Sequence, residues 1–163
     1  MVEVGYYNGK YGPLAEMEIP MLDRACYFGD GVYDFSLAHK DKIFVIDEHI
    51  DRIYKSAAMI EIDIPYSKEE MKAILYEAVS KSECEDVSVY WQVSRGTDIR
   101  NHIYPGADKK ANLMIMVKPG KVAGIDKRFK LITLEDTRYL HCNIKTINLL
   151  PSVIASEKAR KAG

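Results

Sequence analysis

The lysine at position 145 is the side chain in this sequence that is best placed to do covalent chemistry. Lys145 lies among apolar and uncharged polar residues in the segment 140–150, whereas most other lysines lie in charged stretches. A lysine amine attacks an aldehyde only in its neutral form, so it needs a protected pocket. Local chemistry alone favours a plainer interpretation, in which the lysine extends its ammonium group to water from the start of a helix. Both interpretations stay open at this point.

Arg100 and His102 form a second candidate pair, in the long segment 95–106 between two predicted strands. Long ordered loops in compact domains are often functional. Two donors that stand one residue apart in an extended loop can converge on one carboxylate. The alternative is a mobile, solvated loop, and these two residue types alone favour it.

Two β-hairpins and two further strands are predicted around these candidates. Residues 2–7 are rich in β-forming side chains and lead into the Asn-Gly dipeptide at positions 8 and 9, the strongest short hairpin signal. A second hairpin is predicted over residues 32–46. Apolar and polar residues alternate over 87–93, which predicts a half-buried strand, and residues 112–117 predict a matching one.

Three helices are predicted, and one further strand. Asp47 is the predicted N-cap of the first helix, whose apolar residues recur at helical spacing over 50–60. Residues 67–70 have the Ser-x-x-Glu pattern of a capping box, which predicts the start of the second helix. A strand at 129–134 and a third helix at 149–162 are predicted to bracket the lysine segment.

The order of these elements predicts an α+β fold. Residues 1–117 are expected to form a small two-layer domain, and the Pro- and Gly-containing segment 118–125 an interdomain linker. Residues 126–163 are expected to begin a second domain. One strand and one helix cannot bury their apolar faces alone, so this second unit is expected to be incomplete.

Composition excludes several classes of partner. The 163 residues are 47% hydrophobic and 29% charged with a net charge of -1, as in an ordinary globular protein. Lysine and arginine are spread among the acidic residues, so no nucleic-acid binding is expected. No leader segment and no apolar run of bilayer length is recognisable, which predicts a cytoplasmic protein without membrane contact. Three widely spaced cysteines predict neither a disulfide nor a metal site.

Three motifs, in the expected order and covering nearly the whole chain, resemble those of the class IV (fold type IV) aminotransferases. Residues 23–34 resemble the family's Arg-x-x-x-Phe-Gly-Asp-Gly-x-Tyr stretch, and residues 47–53 its His-hydrophobic-x-Arg helix. Residues 142–150 resemble the segment that carries the cofactor lysine. Together they make a specific match rather than a single short pattern.

The resemblance implies a role for each candidate residue. Lys145 would form the Schiff base with pyridoxal 5'-phosphate, and Arg52 would bind the cofactor phosphate, for which a guanidinium fork is well suited. Tyr33 would lie near the substrate. Arg100 and His102, donated by the partner subunit of a homodimer, would bind the substrate α-carboxylate. Without the resemblance, Arg52 would be interpreted as a solvated surface cation and Tyr33 as a core aromatic.

The implied activity is transamination of D-amino acids, of the D-alanine type, with a 2-oxo acid. A branched-chain aminotransferase or an aminodeoxychorismate lyase of the same fold is one alternative, and a non-catalytic dimerising or binding fragment is another. Family members continue past this segment and there supply an acidic partner for the cofactor ring nitrogen. This chain alone is therefore expected to have little or no turnover.

Overall fold

A single six-stranded antiparallel sheet organises the fold. The computed structural model describes residues 1–121, 124 and 126–163. The strands are β1 (Val4–Tyr7), β2 (Lys10–Pro13), β3 (Gly31–His39), β4 (Lys42–Ile43), β5 (Asp86–Ser94) and β6 (Asn112–Pro119). Their order across the sheet is β2-β1-β6-β5-β3-β4, so the long strand β3 lies near one edge.

Two helices cover one face of this sheet. They are α2 (Ile46–Met59) and α3 (Lys68–Ser80). The described residues also form α1 (Arg24–Phe28) and α4 (Leu150–Ala162). Alternate residues of β5 are buried under α2 and α3, among them Val89 and Trp91, while Tyr90 on the opposite face stays partly exposed. The predicted two-layer α+β architecture is confirmed. Within the described residues, none of the helices has the length and apolar content needed to cross a membrane.

Local sequence signals placed several boundaries correctly. The hairpin between β1 and β2 turns at Asn8 and Gly9, both with positive φ. The Ser67 side chain accepts a hydrogen bond from the Glu70 backbone, and the Glu70 side chain accepts one from Ser67, so the predicted capping box is confirmed. The hairpin predicted over 32–46 is formed by β3 and β4, although β4 has only two residues.

Two predicted features were wrong, and both depend on contacts outside the local sequence. Asp47 is not the N-cap of α2, because the helix begins at Ile46 after Val45 adopts a left-handed conformation with φ of 40°. Asp47 instead lies in the first turn and forms an ion pair with Lys72 of α3. The strand predicted over 129–134 is irregular and largely exposed, since nothing in the described part of the chain pairs with it.

The predicted linker is only partly described. Strand β6 extends to Pro119 and so includes the first two residues of the segment 118–125. Val122, Ala123 and Ile125 of that segment lie outside the described residues. The division into two domains stays a prediction.

The capping box gives a test of the fold. We expect Ser67→Ala to lower the free energy of unfolding by about 1 kcal/mol, because the Glu70 backbone amide in the first turn of α3 loses its acceptor. Urea denaturation followed by circular dichroism measures the change. The control is Ser156→Ala, an exposed position within α4, which we expect to alter stability by less than about 0.5 kcal/mol. Equal effects of the two substitutions would contradict the assignment of Ser67.

Candidate active site

The segment around Lys145 is held against the exposed edge of β3. The Tyr33 amide donates to the Lys145 carbonyl at 3.0 Å, and the Ile147 amide donates to the Gly31 carbonyl at 3.1 Å. Thr146 pairs with Val32 between these two bonds. The edge is available because β4 pairs only with the far end of β3. A residue more than one hundred positions away in sequence is thereby fixed beside the sheet.

Two glycines of the Phe-Gly-Asp-Gly motif allow this close approach. A Cβ on Gly31 would lie 2.6 Å from the Val93 carbonyl oxygen and 3.3 Å from a methyl group of Ile147. Gly29 ends α1 with a φ of 61°, and its carbonyl accepts a hydrogen bond from Asn148 at 3.0 Å. The motif therefore packs against the lysine segment through its backbone.

A cavity of about 350 Å³ opens where β3, α2 and the lysine segment meet. Three of the five predicted site residues line it together: Lys145, Arg52 and Tyr33. Ser56, Tyr139, Cys142, Thr146, Asn148 and Ser152 are also among the residues that line it. Its volume is at the lower end of the range for small-molecule sites.

The Lys145 side chain lies on the face of an aromatic ring. Its Nζ is 4.0 Å from the centroid of the Tyr33 ring, which in turn stacks on Tyr90 at 5.4 Å. Burial is the main reason that the pKa of Tyr90 rises to about 12, so this phenol stays neutral. The Lys145 amide donates to the Ser56 hydroxyl at 3.3 Å, which ties the segment to α2 as well as to β3.

Arg52 is directed by a buried carboxylate. Its Nε and Nη2 donate to Asp34 at 2.8 and 2.6 Å. Asp34 is completely buried, whereas the Arg52 side chain is 49% exposed. The hydrogen bonds that Arg52 donates to Asp34 raise the pKa of the Arg52 guanidinium above its ordinary value. Arg52 is thus not the solvated surface cation that local sequence alone suggested.

Arg100 and His102 do not line the cavity of Lys145 within this chain. Both side chains pack against Phe28, with the guanidinium carbon 5.1 Å and the imidazole centroid 5.0 Å from that ring. His102 lines a neighbouring cavity of about 290 Å³, which shares Tyr139, Thr146 and Asn148 with the first. Arg100 lines neither cavity and is exposed.

A buried arginine fixes the loop that carries this pair. Arg24 is 3% exposed, and its Nη1 donates to the carbonyls of Asn101 and Ile103 at 2.8 and 3.4 Å, on either side of His102. The Asp30 carboxylate accepts from Arg24 at 2.7 Å and from Arg95 at 2.9 Å. Arg24 and Arg95 therefore share one acidic partner beneath the loop.

Asp34 and Ser56 are the site residues that the sequence interpretation missed. Each had a detectable signal. Asp34 is an acid on the buried face of a strand, where a charge needs a partner. Ser56 lies four residues after Arg52 and hence on the same face of α2.

Comparison with known proteins places these features in a family. The family described as "Amino-transferase class IV" matches residues 31–163. A D-alanine aminotransferase of Listeria monocytogenes serotype 4b (strain F2365) is 40% identical over 148 residues, which cover 88% of this chain and 51% of the relative. The chain spans about half the length of the curated relatives it matches.

Solved structures share the fold at low sequence identity. The branched-chain amino acid aminotransferase of Escherichia coli superimposes with a TM-score of 0.79 and 17% identity, covering 100% of this chain and 56% of that one. The branched-chain aminotransferase of the thermophilic archaeon Thermoproteus uzoniensis, solved with norvaline, gives a TM-score of 0.77 and 21% identity, over 98% of this chain and 57% of that one.

The shared carboxylate beneath the loop provides a stability test. We expect Asp30→Ala to lower the free energy of unfolding by about 3–5 kcal/mol, because two buried guanidinium groups lose their common anion. Chemical denaturation measures it. Asp51→Ala is the control: it removes an exposed partner of Lys68 and should leave the denaturation midpoint nearly unchanged. A small effect at Asp30 would contradict the structural role assigned to this cluster.

Proposed function

The chain belongs to the class IV aminotransferase family, and we propose that it serves pyridoxal 5'-phosphate-dependent transamination of D-amino acids, with D-alanine as the type substrate and a 2-oxo acid as the acceptor. The observation that carries the proposal is one shared cavity for the Lys145 amine and the Arg52 guanidinium. An amine suits an aldehyde, and a guanidinium suits a phosphate. We further propose that residues 1–117 and 126–163 belong to two domains joined by the linker.

The donors around the cavity fit this cofactor chemically. Besides the amine and the guanidinium, the hydroxyl groups of Tyr33, Ser56 and Thr146 line the same space. An aromatic aldehyde with a phosphate arm requires such a mixture of one nucleophile, one cationic fork and neutral donors. When bound, the cofactor supplies the electron sink that stabilises a carbanion at the substrate α-carbon.

Lys145 has two proposed tasks in this scheme. Its amine would hold the cofactor at the aldehyde carbon. The same amine, when free, would move the α-proton of the substrate as general base and then as general acid. The Tyr33 ring beneath Nζ limits where the amine can go, and the backbone bonds to β3 keep the lysine from leaving the cavity.

Arg100 and His102 are proposed to act on a second copy of the chain. Both are exposed and packed on one ring, so they can present donors to the substrate α-carboxylate of a neighbour in a homodimer. Identity of 40% to D-alanine aminotransferases supports D-amino acids as substrates. The two branched-chain enzymes, at 17% and 21% identity, share the fold.

Cofactor binding is tested first. We expect the 163-residue chain, incubated with pyridoxal 5'-phosphate, to gain visible absorbance, and borohydride to fix the pyridoxyl mass on the peptide that contains Lys145. Lys145→Ala should abolish both signals, whereas Lys158→Ala, on the exposed side of α4, should keep them. Labelling spread over surface lysines, unchanged in Lys145→Ala, would refute the proposed site.

Substrate class is tested by keto acid release. Turnover by this chain with its cofactor is expected to be slow, but we expect D-alanine and 2-oxoglutarate to yield pyruvate faster than L-leucine yields its keto acid. Arg100→Ala should lower kcat/KM for D-alanine by about 100-fold or more, because a charge-assisted pair of hydrogen bonds to the carboxylate is lost. Arg160→Ala on α4 is the control. Preference for L-leucine would favour the branched-chain alternative.

A further inference from the structure

We propose that Asp34 is a positioning residue that fixes the direction of the Arg52 guanidinium before any anion binds. This inference rests on the proposed function, because it concerns the same cavity. It goes further because it gives Asp34, which does not line the cavity, control over how tightly a phosphate group is held.

The Asp34 carboxylate is itself rigid. It is completely buried on β3, whose neighbour at this register is Trp91 of β5. Its Oδ1 accepts from the Phe35 amide at 2.7 Å, and Nδ1 of His49 lies 2.9 Å from the same oxygen. A buried carboxylate is stable only when it is paired and hydrogen-bonded, so these contacts hold it in one orientation.

Two contacts from this carboxylate determine where the guanidinium points. Nε and Nη2 of Arg52 lie on one edge of a planar group, and both donate to Asp34. Once one edge of a rigid fork is fixed, the direction of its remaining donors is fixed as well. Within the described residues, Nη1 makes no hydrogen bond, and Arg52 lines the cavity beside Lys145.

Asp34 has two opposed effects on a phosphate in this cavity. Its negative charge offsets that of Arg52 and so weakens attraction, while its hydrogen bonds remove the cost of immobilising a long side chain. Asp34 is fully buried and does not line the cavity, whereas Arg52 is half-exposed and does line it, so the guanidinium would stand between the carboxylate and a bound phosphate. The orientation of Arg52 by Asp34 therefore outweighs the repulsion between Asp34 and the phosphate, so loss of the Asp34 charge should weaken phosphate binding.

The experiment compares pyridoxal 5'-phosphate with pyridoxal, which has the same aldehyde but no phosphate. The dissociation constant of pyridoxal divided by that of pyridoxal 5'-phosphate is measured by equilibrium dialysis on the 163-residue chain. Reaction with Lys145 and the internal hemiacetal of free pyridoxal are the same for every variant, so a change in this ratio between variants isolates the phosphate contribution. We expect Asp34→Asn to reduce this ratio roughly tenfold, equivalent to about 1.4 kcal/mol, with pyridoxal affinity unchanged. Asp34→Glu, which keeps the charge, should give most of the wild-type ratio. Asp23→Asn alters another buried carboxylate, one bound by Tyr7 and Asn112, and should keep the wild-type ratio.

Each outcome decides between the two proposals. An unchanged or increased ratio in Asp34→Asn, with a collapsed ratio in Arg52→Met, overturns the positioning role and leaves the proposed function intact. A wild-type chain that binds neither compound at Lys145 overturns the proposed function and this inference with it.

If Asp34→Asn fails to fold, nuclear magnetic resonance of the ligand-free wild type replaces the binding measurement on that variant. An Arg52 Nε proton that exchanges slowly with solvent supports the proposal. An Arg52 Nε proton that exchanges as fast as that of an unbound arginine side chain overturns it.

Discussion

The pairing of residues 145–147 with the first residues of β3 is the constraint on which the site depends. Two backbone hydrogen bonds, which together form the bridge between Val32 and Thr146, attach this segment to a sheet whose strands come from residues 4–119. Without them, a lysine in an irregular stretch would have no defined neighbour. With them, its amine lies over a strand side chain, and its own amide is tied to a helix that lies on the opposite face of the sheet. Regular structure thus positions a residue that is not itself in a helix or a long strand.

Charge in this part of the molecule is arranged around two acids of β3 and the turn before it. Asp30 holds two nearly buried arginines beneath the loop of Arg100 and His102, and Asp34 holds Arg52 at the cavity. In both places a rigid acid determines the position of longer cationic side chains. Because a buried charge left without its partner costs several kcal/mol, these pairs resist rearrangement. The two candidate regions are therefore held by the same short stretch of sequence.

Features encoded by neighbouring residues were predictable, and features made by distant contacts were not. The Ser67 capping box and the alternation along β5 are decided within a few residues, so the pattern alone located them. The start of α2 depends on the turn after β4 and on an ion pair with Lys72, which no local pattern contains. At the site, the types of Lys145 and Arg52 suggested their chemistry. Their shared cavity requires the pairing across β3, and the partner of Arg52 lies 18 residues earlier in the sequence.

The two basic side chains of the cavity are held in different ways, and that difference suits the tasks proposed for them. Arg52 is bound through two donors to a buried carboxylate, so its position is fixed. Among the described residues, no carboxylate forms an ion pair with Lys145, and Nζ instead lies on the Tyr33 ring. A cation–aromatic contact at a partly exposed position contributes only about 0.5–1 kcal/mol, far less than a desolvated ion pair would cost to separate. The lysine amine can therefore leave the ring more easily than the guanidinium can leave its carboxylate. The proposed function, in which one site binds a phosphate and exchanges a covalent bond, would need this combination.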